Sequence, residues 1–310
     1  MDLVLSGGED QLLSSLQFKL PPSASYVQDR RLVSWYPSGA STFPPTGVRE
    51  ARFVITGDSW LDPATLRINL KIRNDSGQPI QLASSAHALI RRMRLMAGGV
   101  TLEDIDHYSR VSQVFQRMLQ TPDWCTNDGI EAGTIYSEGR PATLCHETPI
   151  IIQPGVVTLS LTPLLGFLSC KKLIPLRYLA GGGLQLYIEF ADFDDALSMG
   201  SVGRTYQIEQ LALRGAVVRL DSALESSFSS LLTSGGGRSL TFSCNTIHTQ
   251  TQAIPVGATL TMSAVRALSR LNAVFVSFRG AQHGSIMRVM FSQSTRITGT
   301  NAPLSSIQPC

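Results

Sequence analysis

The sequence predicts an all-β protein in which short strands pack as an antiparallel sandwich, with a few short helices. Many segments alternate apolar and polar residues, few have the apolar spacing of a helix, and turn residues separate them at irregular intervals. The alternation is clearest where Leu66, Ile68, Leu70 and Ile72 occupy every second position. A strand of this kind is expected to bury its apolar face and to expose its polar face.

The composition points to a protein that packs against other subunits. The 310 residues, 43% of them hydrophobic, are enough for one large or two ordinary β-domains. Only 16% are charged, against about 25% in typical soluble domains. Such a neutral surface favours burial against neighbouring subunits, although a surface rich in Ser and Thr would give a similar composition.

Neither the charge nor the cysteines indicate a nucleic acid or a metal as partner. The net charge is +3, and the densest basic groups, at residues 91–94 and 171–172, are short. We therefore expect no specific nucleic-acid partner, because phosphate binding normally uses a longer basic stripe. The five cysteines form no CxxC pair, which argues against a disulfide framework or a zinc site and favours a reducing compartment. They are Cys125, Cys145, Cys170, Cys244 and Cys310.

The N-terminal sequence lacks the features of a targeting segment. It has no basic region followed by a long apolar core, so a signal peptide and secretion are not expected. No stretch approaches eighteen apolar residues, so we predict no membrane span.

Residues 1–50 are rich in Ser, Pro and Gly and show no helical period. They are predicted to form an extended N-terminal arm that becomes ordered only against a neighbouring subunit or a membrane-side partner. The aromatic residues Trp35, Tyr36 and Phe43 would gain burial by docking there, which makes them candidate interface residues.

The segment from Ala86 to Leu119 organises the first domain. It predicts a strand, a tight turn at Gly98-Gly99, and a return strand. A helix then follows, whose apolar stripe recurs at three- and four-residue intervals and which Pro122 ends. The stripe comprises Tyr108, Val111, Phe115, Met118 and Leu119.

The remaining elements continue the all-β pattern. The sequence predicts a break after the strand at 51–56, a long loop over 121–154, and a capping box that begins one short helix. The break falls at Leu61-Asp62-Pro63 and the capping box at Ser222 and Glu225, and further strands are predicted at 156–161, 184–190, 206–220, 273–278 and 286–291.

The glycines at 235–237 are the best domain boundary in the sequence. We expect an arm at 1–50, a complete sandwich at 51–234 and part of a second domain at 235–310. Because the last region holds only about half the strands of an eight-stranded sandwich, one of its faces needs cover. Val274, Val276 and Phe278 alternate along that face and are candidate interface residues.

No catalytic or metal-binding motif is present, and we predict neither an enzyme nor a cofactor. The five histidines are dispersed, and no G-x-S-x-G motif occurs. Glu103, Asp104 and Asp106 could act as an acid–base pair. Their position before a helix favours capping of its N-terminus instead.

Four segments, in order along the chain, resemble double-jelly-roll major capsid proteins of polinton-like and related small eukaryotic DNA viruses. They are TGDSWLDPATLRINLKI, GVTLEDIDHYSRVSQVF, LLGFLSCKKLIPLRYLAGGGLQLYIEF and VVRLDSALESSF, and the resemblance covers roughly residues 45–280. Members of that family continue past the point where this chain stops. The expected fold is therefore one complete jelly roll and the start of a second, in a fragment or an endogenous copy.

The resemblance implies a structural capsid subunit. Three copies would form a pseudo-hexagonal capsomer, capsomers would tile an icosahedral shell, and a minor capsid or penton protein would be a further partner. The chain would be made in the host cytoplasm or nucleus and located in the virion. The alternative is a lectin-like module that binds a carbohydrate or receptor, for which Trp35, Tyr36 and Trp60 could line a groove.

Overall fold

A computed structural model describes residues 26–119, 128–135, 148–170, 172–179, 182–198, 201–233, 240–253, 271–279 and 286–299. The strands are β1 (Val27–Trp35), β2 (Thr42–Phe43), β3 (Glu50–Ile55), β4 (Trp60–Asn74), β5 (Ile80–Gln81), β6 (Ile90–Ala97), β7 (Val100–Asp106), β8 (Thr134–Ile135), β9 (Thr148–Pro149), β10 (Ile151–Ile152), β11 (Gly155–Leu161), β12 (Ile174–Pro175), β13 (Leu184–Phe190), β14 (Gln207–Leu220), β15 (Leu240–Ala253), β16 (Leu271–Arg279) and β17 (Ile286–Gly299). The α-helices are α1 (Tyr108–Leu119), α2 (Asp128–Glu131), α3 (Phe193–Ala196) and α4 (Ser222–Thr233), and short 3₁₀ turns lie at Ala86–Leu89, Phe167–Ser169 and Leu176–Tyr178.

Two sheets face each other across one core. The first has the order β1-β14-β4-β11, with β12 beside β4 and β2 beside β14; the second has the order β16-β17-β15-β7-β6-β13-β3. Neighbouring strands pair antiparallel except for β15 and β7, which meet in parallel at His248 and Asp104. Both sheets contribute to the same apolar cluster, including Leu70 from β4 and Leu186 from β13. The predicted antiparallel sandwich is confirmed.

Strand β4 buries one face, as its alternation predicts. Leu66, Ile68, Leu70 and Ile72 are fully buried, whereas the residues between them are only half-buried. The expected break at residues 61–63 is wrong, because β4 runs on through Pro63. The irregularity is a bulge, and the Thr65 hydroxyl within it accepts a hydrogen bond from the backbone N–H of Ala216 at 2.7 Å. A bulge can hold a proline because no ladder hydrogen bond is required there.

The hairpin of β6 and β7 and the helix α1 form as predicted. Gly98 and Gly99 have φ values of 57° and 81°, which residues with a side chain rarely adopt. In β6 the face of Met93 and Leu95 turns inward. A bulge at Arg91 then brings Ile90 inward as well, so the buried positions of β6 do not follow one unbroken alternation.

Helix α1 buries the first part of its apolar stripe. Tyr108 and Val111 lie in the core, and Phe115 is half-buried against it. The side chains of Met118 and Leu119, and Pro122, lie outside the described residues.

Residues 27–43 belong to the chain's own sheet, which corrects the prediction of an extended arm for this part. Strand β1 pairs with β14 from Val27 opposite Leu220 to Trp35 opposite Leu213, and β2 pairs with β14 further along. The long strand β14 offers hydrogen-bonding groups along its whole edge, and these outweigh the weak local strand pattern of residues 27–43. Residues 1–25 lie outside the described residues.

Helix α4 begins where expected but is capped differently. The Asp221 carboxylate, rather than the Ser222 hydroxyl, accepts a hydrogen bond from a first-turn N–H, that of Ala223 at 3.0 Å. Glu225 faces Arg177 instead of the helix start, with 3.7 Å between Oε1 and Nη1. The predicted capping box is therefore wrong, because an aspartate one residue earlier takes its place. The glycines at 235–237 lie outside the described residues.

The predicted late strands are present and extend the second sheet. Strand β17 lies between β15 and β16, and β15 connects this group to β7. Cys244 and Ile247 of β15 join the main apolar core. Of the predicted loop over 121–154, the described part contains α2 and the short strands β8, β9 and β10.

Candidate subunit-contact surfaces

The first candidate surface is the outer edge of the first sheet, where β1 has no further strand beside it among the described residues. The first six residues of β1 are exposed. Tyr26, Val27, Leu32 and Tyr36 expose apolar side chains along this edge, and Leu32 and Tyr36 are 68% and 70% exposed. We call these four residues the β1 edge. An exposed strand edge that carries large apolar side chains is typical of a site that pairs with another chain.

The middle of β1 is charged, and an ion pair connects it to β4, which lies beyond β14 in the same sheet. Arg30 forms an ion pair with Asp62 of β4, with 2.7 Å between Nη2 and Oδ2. Asp29 and Arg31 flank Arg30. Charged side chains on an edge strand restrict which partners can pair with it. This edge therefore combines apolar contact area with central charges that limit which chains can bind.

The structure separates the three aromatic residues that the sequence grouped as interface candidates. Tyr36 is exposed, and Trp35 is half-buried against the core. Phe43 is buried and lies 5.2 Å from Phe190 between ring centroids. The prediction that Phe43 contacts another subunit is therefore wrong, because the chain's own core covers it.

The second candidate surface lies on β16, the terminal strand of the second sheet. Leu271, Val274 and Val276 are about half exposed, at 47%, 46% and 48%. We call these three residues the β16 face. Phe275 points the other way and packs against Phe115 of α1, with 5.4 Å between ring centroids. Phe278 lies in β16, and its side chain is outside the described ones.

A buried carboxylate joins β7 to β15. Glu103 Oε1 accepts a hydrogen bond from the Ile247 N–H at 2.7 Å, and Oε2 accepts one from the Phe167 N–H at 3.2 Å. Burial raises the pKa of Glu103 to about 7, although these backbone N–H groups oppose the rise. Gly166 lies so close to β15 that a Cβ there would overlap the carbonyl oxygen of Asn245.

This geometry corrects the prediction for the acidic group at residues 103–106. Glu103 does not cap α1, because it lies inside the strand and faces β15. Asp104 binds Arg92 through both oxygens, at 2.8 and 2.6 Å. Asp106 does lie at the helix start, where its Oδ1 accepts from the His107 N–H at 2.9 Å. A bulge in β7 turns Glu103 inward, and nothing in the sequence marks that bulge.

Within the described ranges, no three or more His, Cys, Asp or Glu side chains lie close enough together to hold a metal ion. The aromatic groove of the lectin-like alternative is also not formed as predicted. Trp60 is buried beneath α4 against Phe228, with ring centroids 5.0 Å apart. Among the helices described, none is long and apolar enough to cross a membrane.

Comparison with known proteins gives a likeness of fold only. No protein-family model matches the sequence, and no curated protein matches it. The quasi-atomic model of the PBCV-1 virus capsid matches with a TM-score of 0.50 and 13% identity, over 85% of this chain and 56% of that chain. The crystal structure of PBCV-1 VP54, fitted into a reconstruction of the virophage Sputnik, matches with a TM-score of 0.52 and 11% identity.

The VP54 match covers 85% of this chain and 55% of VP54. The chain thus spans little more than half the length of the viral proteins that it matches. The chain shares the jelly-roll fold of these proteins.

Proposed function

We propose that this chain is a structural, non-enzymatic capsid subunit that acts by associating with copies of itself. The observation that carries the proposal is the jelly-roll fold that it shares, over 85% of its length, with PBCV-1 capsid proteins. The low charge content and the two exposed apolar surfaces support it, because both are typical of a subunit that is covered by its neighbours. The virion is the corresponding location.

The finer proposal is that three copies form a pseudo-hexagonal capsomer and that capsomers tile an icosahedral shell. In this proposal β15, β16 and β17 belong to a second jelly roll, joined to the first through Glu103. A minor capsid or penton protein is a further partner, and the virus is one of the polinton-like group or a relative. Synthesis takes place in the host cytoplasm or nucleus.

The β1 edge and the β16 face are the proposed subunit contacts. The β1 edge lies at the end of the first sheet and the β16 face at the end of the second, so one chain can contact two neighbours at the same time. Each fully buried large apolar side chain contributes about 1.5–3 kcal/mol to such an interface. Tyr36, Leu32, Val274 and Val276 supply this apolar area.

Electron microscopy of the purified full chain tests the trimer directly. We expect class averages with threefold symmetry and a pseudo-hexagonal outline. Particles of single chains at every concentration would contradict the proposal. A glycan array on the same sample tests the lectin-like alternative, which specific binding by a monomer would support.

A further inference from the structure

A pocket of about 320 Å³ opens beside α1, between the start of β4, the helix α2 and the turn after β11. Its wall is mostly apolar and includes Phe115, Leu161, Leu164 and Leu168. This volume lies at the lower end of the range of pockets that hold small molecules. It accommodates roughly eleven non-hydrogen atoms, given about 30 Å³ of liquid volume for each water molecule.

Among the described residues of this wall, the buried polar ring is that of His87, which is 5% exposed. Its Nδ1 lies 3.2 Å from the Tyr108 hydroxyl, and that hydroxyl accepts a hydrogen bond from the Leu164 N–H at 2.7 Å. Among the described residues, the acceptor available to the Tyr108 O–H is therefore His87 Nδ1. When the Tyr108 O–H donates to Nδ1, the imidazole carries its proton on Nε2.

The Nε2–H group of His87 can donate a hydrogen bond to a ligand in the pocket. His87 lies on the pocket wall, and Tyr108, the partner of Nδ1, does not, which leaves Nε2 as the ring nitrogen available to a ligand in the pocket. Burial lowers the pKa of His87 to about 4, so the ring is neutral at pH 7. It can donate one hydrogen bond but carries no positive charge.

We propose that this pocket binds a small, mostly apolar molecule whose neutral carbonyl oxygen accepts a hydrogen bond from His87 Nε2. Asp128 and Glu131 lie on the wall and disfavour a carboxylate ligand. Arg67 also lies on the wall, and its Nη1 donates a hydrogen bond to the backbone oxygen of Leu66 at 3.1 Å. The site belongs to a single chain and does not depend on self-association.

Two probes of the same skeleton test the proposal: 4-phenylbutan-2-one, which carries the carbonyl, and butylbenzene, which lacks it. In calorimetric or NMR titrations of the full chain, we expect the ketone to bind about 3–10-fold more tightly, the worth of one hydrogen bond. The His87→Phe variant keeps a ring but no donor and is expected to lose the preference for the ketone, because the carbonyl oxygen would be buried without a partner. The absence of ketone binding, equal binding of the two probes by the unchanged chain, or a preference kept in His87→Phe would each overturn the proposal.

A second set of measurements locates the site without changing the core. Ala64 is an exposed residue of the pocket wall, and Ala64→Trp is expected to abolish binding of both probes. Val202→Trp, at an exposed position away from the wall, is the matched control and should bind both. On the unchanged chain, ¹⁵N NMR should show the Nε2 signal of His87 shifting with the ketone and not with butylbenzene. A shift with neither probe would overturn the role of His87 even if His87→Phe failed to fold.

Discussion

At the scale of single residues, the carboxyl group of Glu103 is enclosed between β7, β15 and the turn at Phe167, where two backbone N–H groups donate to it. Burial disfavours the ionised form of this carboxyl group, and its pKa is raised from 4.5 to about 7. The folded state therefore keeps a proton that the unfolded chain releases between these two values. The Glu103 contribution to the free energy of unfolding is largest below pH 4.5 and falls as the pH rises to 7.

We predict that Glu103→Gln removes this pH dependence. The difference in free energy of unfolding between the unchanged chain and the variant should shift by about 3 kcal/mol between pH 4.5 and pH 7.5. Urea titrations at the two pH values measure it. His87, whose pKa is lowered to about 4, contributes stability that is lost as the pH falls below 6.5. That contribution is present in both proteins and cancels, and a pH-independent difference would contradict the assignment.

A second residue-scale prediction concerns the two faces of β4. Ile68 is fully buried, whereas Arg67 is half-buried on the opposite face. We expect Ile68→Asp to cost more than about 4 kcal/mol and to unfold the domain, because it buries an unpaired charge. Arg67→Asp is the control and should leave the protein folded, as judged by circular dichroism and urea titration. Greater damage from Arg67→Asp would mean that the faces are inverted.

At the scale of elements, the sequence predicts what depends on short-range pattern. The strand β4, the hairpin of β6 and β7 and the helix α1 follow from alternation, a glycine turn and an apolar stripe. Bulges were not predictable, because a single extra residue, such as Arg91, shifts the phase of the pattern without a composition signal. Strand β1 was missed since its pairing with β14 is a long-range contact. The pairing of β2 with β14 is also a long-range contact, and it places Phe43 in the core, whereas Tyr36 lies after the end of β1 and is exposed.

The contact between the turn at Phe167 and β15 gives an element-scale prediction. A methyl group at Gly166 would overlap the backbone of β15 at Asn245. Gly166→Ala should therefore lower the free energy of unfolding by about 1–3 kcal/mol or more, since backbone cannot yield as a flexible side chain does. Gly57→Ala is the matched control, because the nearest atom to its added methyl group, in Leu176, is 3.8 Å away. Urea titrations that rank the two variants equally would contradict this geometry.

At the scale of the whole molecule, both sheets end in strands that expose apolar side chains. The β1 edge lies at the end of the first sheet and the β16 face at the end of the second, and their proposed role is to bind other copies of the chain. We predict that Leu32→Lys combined with Val276→Lys separates the copies, because two charges would be buried in the contacts. Val202→Lys alters an exposed valine outside both surfaces and should have no effect. If light scattering gives the same assembly mass for the double variant and the control, these surfaces do not form the subunit contacts.

The native mass of the purified full chain tests self-association most directly. Sedimentation equilibrium over a range of concentrations gives that mass without reference to shape. A capsid subunit of the proposed kind should sediment with three times the 33.6 kDa mass of one chain, and with larger assemblies as the concentration rises. A single species of 33.6 kDa at every concentration would contradict the central claim.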